Sequence, residues 1–105
     1  GDGDSEARIL KQIVDLDPLD GDALLLLGRH AVRTSNDAQA IFYFERAMAI
    51  DASEADANLE LGKLLSAQGK YAEALPKLRR AQQINPREPV QRFLEQIEKR
   101  AGRGG

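Results

Sequence analysis

The chain has no cysteine, no tryptophan, a single histidine and few aromatics, three Phe and two Tyr. Without cysteine, disulfides, thiolate metal ligands and a cysteine nucleophile are excluded, and the redox compartment stays undetermined. His30 has no second ligand at a metal-binding spacing. The acidic pairs Asp15/Asp17 and Asp20/Asp22 flank a proline turn and lack the alternating ladder and closing glutamate of a calcium loop, so neither a metal nor another cofactor is expected. A glycine-rich phosphate loop is missing, and the scattered serines have no neighbouring base to activate them. These residues point to no enzyme. The apolar run Ala23 to Leu27 is far too short for a membrane span, and no basic-then-apolar segment opens the chain as a secretory signal would. A net charge of −2, from 17 acidic and 15 basic side chains, predicts no whole-molecule attraction to nucleic acid or to an anionic membrane.

What is present is a repeat. An offset of 34 residues carries Leu27-Gly28 onto Leu61-Gly62, Ala40 onto Ala74, Ala47 onto Ala81 and Ile50 onto Ile84; laid without a gap, residues 21–54 and 55–88 share 11 identities. A fixed period of this length signals stacked helical hairpins, which bind other chains more often than they perform chemistry. The 105 residues and 42% hydrophobic content suffice for one modest continuous core. Charge is uneven along the chain: residues 1–22 hold seven acids and two bases, residues 63–105 ten bases and four acids. Two readings stand, an ordinary solvated surface and head-to-tail association.

Helical periodicity runs through both copies. Leu24, Leu27, Ala31 and Val32 keep to one face of a first helix, and Ala40, Ile41, Phe44, Ala47, Met48 and Ile50 to one face of a second, with Ser35 or Asn36 to cap its start. The second hairpin repeats this with Ala57, Leu61, Leu64 and Leu65, then Ala74, Leu75, Leu78, Ala81 and Ile84; Gly69-Lys70 forms the turn and Asn85-Pro86 the end. A glycine inside a helix costs about 1 kcal/mol against alanine, so Gly28 and Gly62 at matching places imply close helix approach. Leu27, Phe44 and Ile50, with Leu61, Leu78 and Ile84, are expected to fill the space around these small residues. Pro76 lies near enough to a helix start to be tolerated with a slight bend. Phe44 is expected in the core, with Phe42 or Tyr43 on the outer side. His30 is read as a surface or packing residue. The ends, 1–4 and 102–105, are glycine-rich and read as flexible; they and the absence of an initiating Met give the expectation of an excised segment.

The spacing Leu24-x-x-Leu27-Gly28-x-x-Ala31 followed by Ala40-x-x-x-Phe44, and Asn58-x-x-Leu61-Gly62-x-x-Leu65 followed by Ala74-x-x-x-Leu78 and Pro86, resembles the tetratricopeptide repeat. The second copy is the closer, since Gly69-Lys70-Tyr71-Ala72-Glu73-Ala74-Leu75 looks like the family's turn and second-helix start. Upstream, Leu10, Ile13, Leu16 and Pro18 lie 34 residues before Phe44, Ala47, Ile50 and Ala52, so residues 5–20 resemble the end of an incomplete repeat. Residues 21–54 and 55–88 are the full repeats, and Val90, Phe93, Leu94 and Ile97 mark 89–101 as a capping helix. The resemblance implies an all-α, right-handed alpha-alpha superhelix of about six antiparallel helices, near 5–17, 22–34, 37–50, 55–68, 71–84 and 88–101.

The resemblance further implies a concave groove lined by first helices, bringing Leu25, Leu26, Arg29, Val32 and Arg33, then Leu59, Glu60, Lys63, Ser66 and Ala67, to the inner surface. Of these, Leu25, Leu26, Arg29, Arg33, Leu59 and Lys63 are the candidate partner-binding residues, the bases for carboxylates and the leucines for apolar contact. The expected partner is a protein or peptide with acidic groups, not nucleic acid, and without membrane insertion. The family's members that hold acidic chaperone tails use lysine, asparagine and arginine at places that fall here on Leu25, Arg29, Glu60, Val90 and Leu94, so that specialisation is disfavoured. Beside a protein-interaction module stand two alternatives: a structural segment that self-associates, for example as a homodimer through the N-terminal half-repeat, and an accessory domain of an enzyme whose catalytic region lies elsewhere.

Overall fold

A computed structural model describes residues 2–104, with side chains over 3–102; Gly1 and Gly105, from the ends read as flexible, lie outside the described residues. Six α-helices follow one another: α1 (Asp2–Leu16), α2 (Gly21–Arg33), α3 (Asp37–Met48), α4 (Glu54–Ala67), α5 (Tyr71–Ile84) and α6 (Glu88–Gly104). No strand occurs among the described residues, and the class is all-α. Two differences from expectation concern extent. Helices α1 and α6 run over Asp2–Asp4 and Gly102–Gly104, where loose ends were expected; acids at the start of α1, such as Asp4 and Glu6, and the cations Lys99 and Arg100 late in α6 both suit the helix dipole. Helix α3 stops at Met48, short of 50, because Ile50 turns extended (φ −106°, ψ 119°) and a single 3-10 turn, Asp51–Ser53, follows.

The chain divides after Glu54 into two compact units. In the first, α1 and α3 both pack on α2. Phe44 is fully buried beneath Gly28, where a Cβ would stand 2.6 Å from the ring's Cδ1; glycine is thus the residue that leaves room for the ring against the helix. Leu24, Leu27, Ala40 and Ala47 are likewise buried in this unit. Gly21 abuts Ser53 in the same way, a Cβ falling 2.8 Å from the serine's own. The Ser53 hydroxyl, itself buried, donates to the Ala47 carbonyl at 2.7 Å and ties the 3-10 turn to the end of α3. His30 is mostly buried, its Nε2 3.9 Å from an Asp4 carboxylate oxygen on α1.

The second unit repeats the close approach with a smaller side chain: a Cβ on Gly62 would stand 2.5 Å and 2.7 Å from Leu78 Cδ2 and Cγ. Ala74 and Leu78 are fully buried, and Leu59, Ala81, Val90, Leu94 and Ile97 complete one apolar cluster joining α4, α5 and α6. Arg79 of α5 meets Glu98 of α6 at 3.3 Å along the exposed seam. Helix α5 continues through Pro76, whose missing amide falls near the helix start. Ile84, expected to fill space like Ile50, is 38% exposed, since α5 ends there and the chain leaves toward Asn85-Pro86.

Both hairpin turns use one device. After α2 the amide of Asn36 donates to Ala31 O at 2.8 Å and that of Ser35 to Val32 O at 3.1 Å; after α4, Lys70 donates to Leu65 O at 2.9 Å and Gly69 to Ser66 O at 3.0 Å. This paired closure needs a left-handed residue. Gly69 (φ 77°) supplies it freely, whereas Ser35 (φ 59°) adopts it at a cost. Asn36, one of the two expected caps, accepts from Gln39 N at 3.3 Å, and Asp20 caps α2 by accepting from Ala23 N at 3.0 Å.

Candidate functional site

Two helices of the second unit build an open cleft. From α4, Leu59, Lys63, Ser66 and Ala67 recur at helical spacing on one face; from α6, Pro89, Val90, Phe93, Gln96, Ile97 and Arg100 do the same. The cleft has two hollows. One, of about 200 Å³, is lined by Leu59, Lys63, Arg87, Pro89, Val90 and Phe93; the other, of about 390 Å³, lies against Ser66, Ala67, Tyr71, Gln96, Ile97 and Arg100. Lys63 and Phe93 line both, so the hollows run end to end. The floor is aliphatic and aromatic and the rim carries Lys63, Arg87 and Arg100.

The rim cations are held loosely. Lys63 Nζ stands 3.9 Å from Glu60 Oε1, and Arg87 Nη2 stands 3.8 Å from Asp56 Oδ1, all on partly or well exposed side chains. Pairs of this kind contribute at most about 1 kcal/mol in water, so an incoming carboxylate can compete for the cations. Beside them the half-buried Phe93 and Tyr71 offer apolar area that a partner can cover without unfolding anything. The cleft therefore suits a ligand with apolar side chains and carboxylates. Nothing in it resembles a nucleophile with its base, and among the described residues no three of His, Asp and Glu converge on a point where a metal could sit.

Of the six residues expected to bind a partner, the structure brings Leu59 and Lys63 together in this cleft. Ser66 and Ala67, placed by the sequence on the same inner face, line it as well. The equivalent face of α2 belongs to the first unit. There Leu25 is only 4% exposed and offers little contact area, Leu26 is 39% exposed, Arg29 is half-buried and Arg33 projects into solvent. Sequence reasoning missed Arg87, Pro89, Phe93, Tyr71 and Arg100 as lining residues. It had read Val90, Phe93, Leu94 and Ile97 as one covering face, yet Leu94 sits in the core while Phe93 faces the cleft. The amphipathic pattern was the available signal, but it marks a stripe and not which edge of the stripe stays open.

The first unit has a separate hollow of about 240 Å³ lined by Lys11, Val14, Asp15, Leu27, Phe42, Tyr43 and Arg46. Phe42, 54% exposed, meets Tyr43 edge-on at 5.5 Å, and the Arg46 guanidinium lies 5.6 Å from the Phe42 ring centre. Phe42 is the outer aromatic and Tyr43 the buried one, which resolves the alternative left open by sequence. Asp15 among the two cations makes this hollow electrostatically mixed and less suited to an acidic ligand.

Family models described as tetratricopeptide repeat match residues 38–97 and residues 4–55. No curated protein matches the chain. Among solved structures, the chain is similar to the Yersinia enterocolitica type III secretion chaperone SycD in complex with a peptide of the translocator YopD, with a TM-score of 0.84 and 22% identity over 96% of this chain and 83% of that one.

Proposed function

Since the chain belongs to the tetratricopeptide repeat family, we propose that it is a non-catalytic protein-interaction module whose α4–α6 cleft takes a peptide or protein segment carrying apolar and acidic side chains. The observation that carries this reading is the joining of an apolar floor, Leu59, Val90 and Phe93, with the exposed cations Lys63 and Arg87 in one open cleft. Support comes also from the similar chaperone, which was solved with a translocator peptide bound. Apolar burial supplies the affinity and the cations supply orientation and encounter rate, a division common at such surfaces. On α2, Leu26, Arg29 and Arg33 form a separate candidate contact surface, with Leu25 behind them.

A fluorescent peptide alternating acidic and aliphatic residues tests this. Binding should weaken as salt rises, because the rim charges are exposed to screening. Lys63→Glu should weaken it about tenfold or more without changing the circular dichroism. Arg29→Glu, measured separately, reports whether the α2 surface takes part. Binding that survives Lys63→Glu with Arg87→Glu places recognition outside the cleft.

A further inference from the structure

Helix α1 buries Ala7, Leu10 and Val14 and packs on α2, yet its other side leaves Ile9 57%, Ile13 36% and Leu16 89% exposed, with Leu19 of the next turn at 73%. By helical periodicity the first three fall within roughly 60° of one another, a continuous aliphatic stripe. Glu6 and Asp17 border it on one edge, within roughly 40° of Ile13, while Arg8 and Lys11 lie roughly 80° or more from each of the three. An apolar stripe of this kind marks a contact surface, and its edge is acidic. The cleft between α4 and α6 has the opposite character at its rim, Lys63, Arg87 and Arg100, around a floor of Leu59, Val90, Phe93 and Ile97.

We propose that the α1 stripe of one copy docks in the α4–α6 cleft of a second copy, so that the chain associates head to tail; this rests on the cleft being a binding surface. The charges favour this arrangement over two symmetric ones. An antiparallel pairing of α1 with α1 lays the Glu6/Asp17 edges of both helices on the same side and sets carboxylate against carboxylate. Cleft against cleft sets cation against cation. Stripe in cleft brings seven acids and two bases of residues 1–22 toward the segment 63–105, with its ten bases and four acids. Such a contact is heterologous: each copy offers one donor and one acceptor surface, so association continues into rings or chains.

The test uses two variants of the full chain. Ile9→Ser with Leu16→Ser disables the stripe and keeps the cleft; Lys63→Glu with Arg87→Glu disables the cleft and keeps the stripe. Sedimentation velocity should show the parent chain growing with concentration, each variant alone weakened about tenfold or more, and the mixture of the two forming a one-to-one complex, since it retains one working pair of surfaces. Hydrogen exchange of residues 7–16 in the parent should slow as concentration rises. A parent that stays monomeric, a stripe variant that still self-associates, or a mixture that stays monomeric overturns the proposal. A monomeric parent that still binds the acidic aliphatic peptide through Lys63 overturns self-docking alone and leaves the cleft's function standing; one that binds neither removes both.

Discussion

Replacing Gly28 with alanine sets two known effects against each other, and the packing of Phe44 decides the sign. In an open helix the change is favourable by about 1 kcal/mol, because alanine restricts the unfolded chain and shields the helix backbone. Here the new methyl would lie 2.6 Å from Phe44 Cδ1, with Cζ at 2.8 Å. Carbon atoms rest at about 3.5–4.0 Å, so the ring must retreat by about 1 Å. It has no flexible far end to swing aside, and it is fully buried. Overpacking costs about 1–3 kcal/mol, and a rigid, fully buried ring that must move falls in the upper half of that range, about 2–3 kcal/mol, so Gly28→Ala should be destabilising by about 1–2 kcal/mol net once the helix gain of about 1 kcal/mol is subtracted. Urea unfolding followed by circular dichroism at the helix band reads this directly. Gly102→Ala is the control with the opposite sign, since a Cβ there meets nothing within 4 Å. Adding Phe44→Leu, the residue type that Leu78 provides beneath Gly62, should recover part of the loss, as expected for side chains in contact. A Gly28→Ala chain as stable as the parent, or more so, refutes the claim that Phe44 rests on the α2 backbone.

Ser35→Gly should stabilise the first hairpin by about 1 kcal/mol, because it gives the left-handed turn position the residue that Gly69 already provides in the second; an unchanged urea midpoint would count against that turn geometry. Ala74→Leu should destabilise by about 1–3 kcal/mol or more through overpacking of a fully buried site, read by thermal melting. Leu78→Ala should cost about 2–5 kcal/mol by removing a fully buried side chain from the α4–α5 contact, and a smaller loss would show that the site collapses around the change.

Much of this protein is decided by local pattern. The 34-residue offset, the alternation of small and large residues around Gly28 and Gly62, and the turn at Gly69 are short-range instructions. Each helix carries its own periodicity and each hairpin closes over a few residues, so six helices and their order are legible without knowing the fold. Helix ends are less so: Asp2–Asp4 and Gly102–Gly104 are helical although they contain glycine, where the low intrinsic propensity of glycine argues for loose ends and acids early in α1 and bases late in α6 suit the helix dipole. Leu59 and Lys63 were readable as inner-face residues through the resemblance, and they line the cleft. Arg87, Phe93 and Arg100 were not, because their role depends on α6 coming to lie beside α4, and a stripe of Val90, Phe93, Leu94 and Ile97 is equally consistent with complete burial. Only tertiary packing assigned Leu94 to the core and Phe93 to the opening, and it likewise closed Leu25 to solvent while leaving Leu26 exposed. Sequence period specifies the direction in which a side chain leaves its helix; whether it meets water or another helix is set by neighbours many residues away.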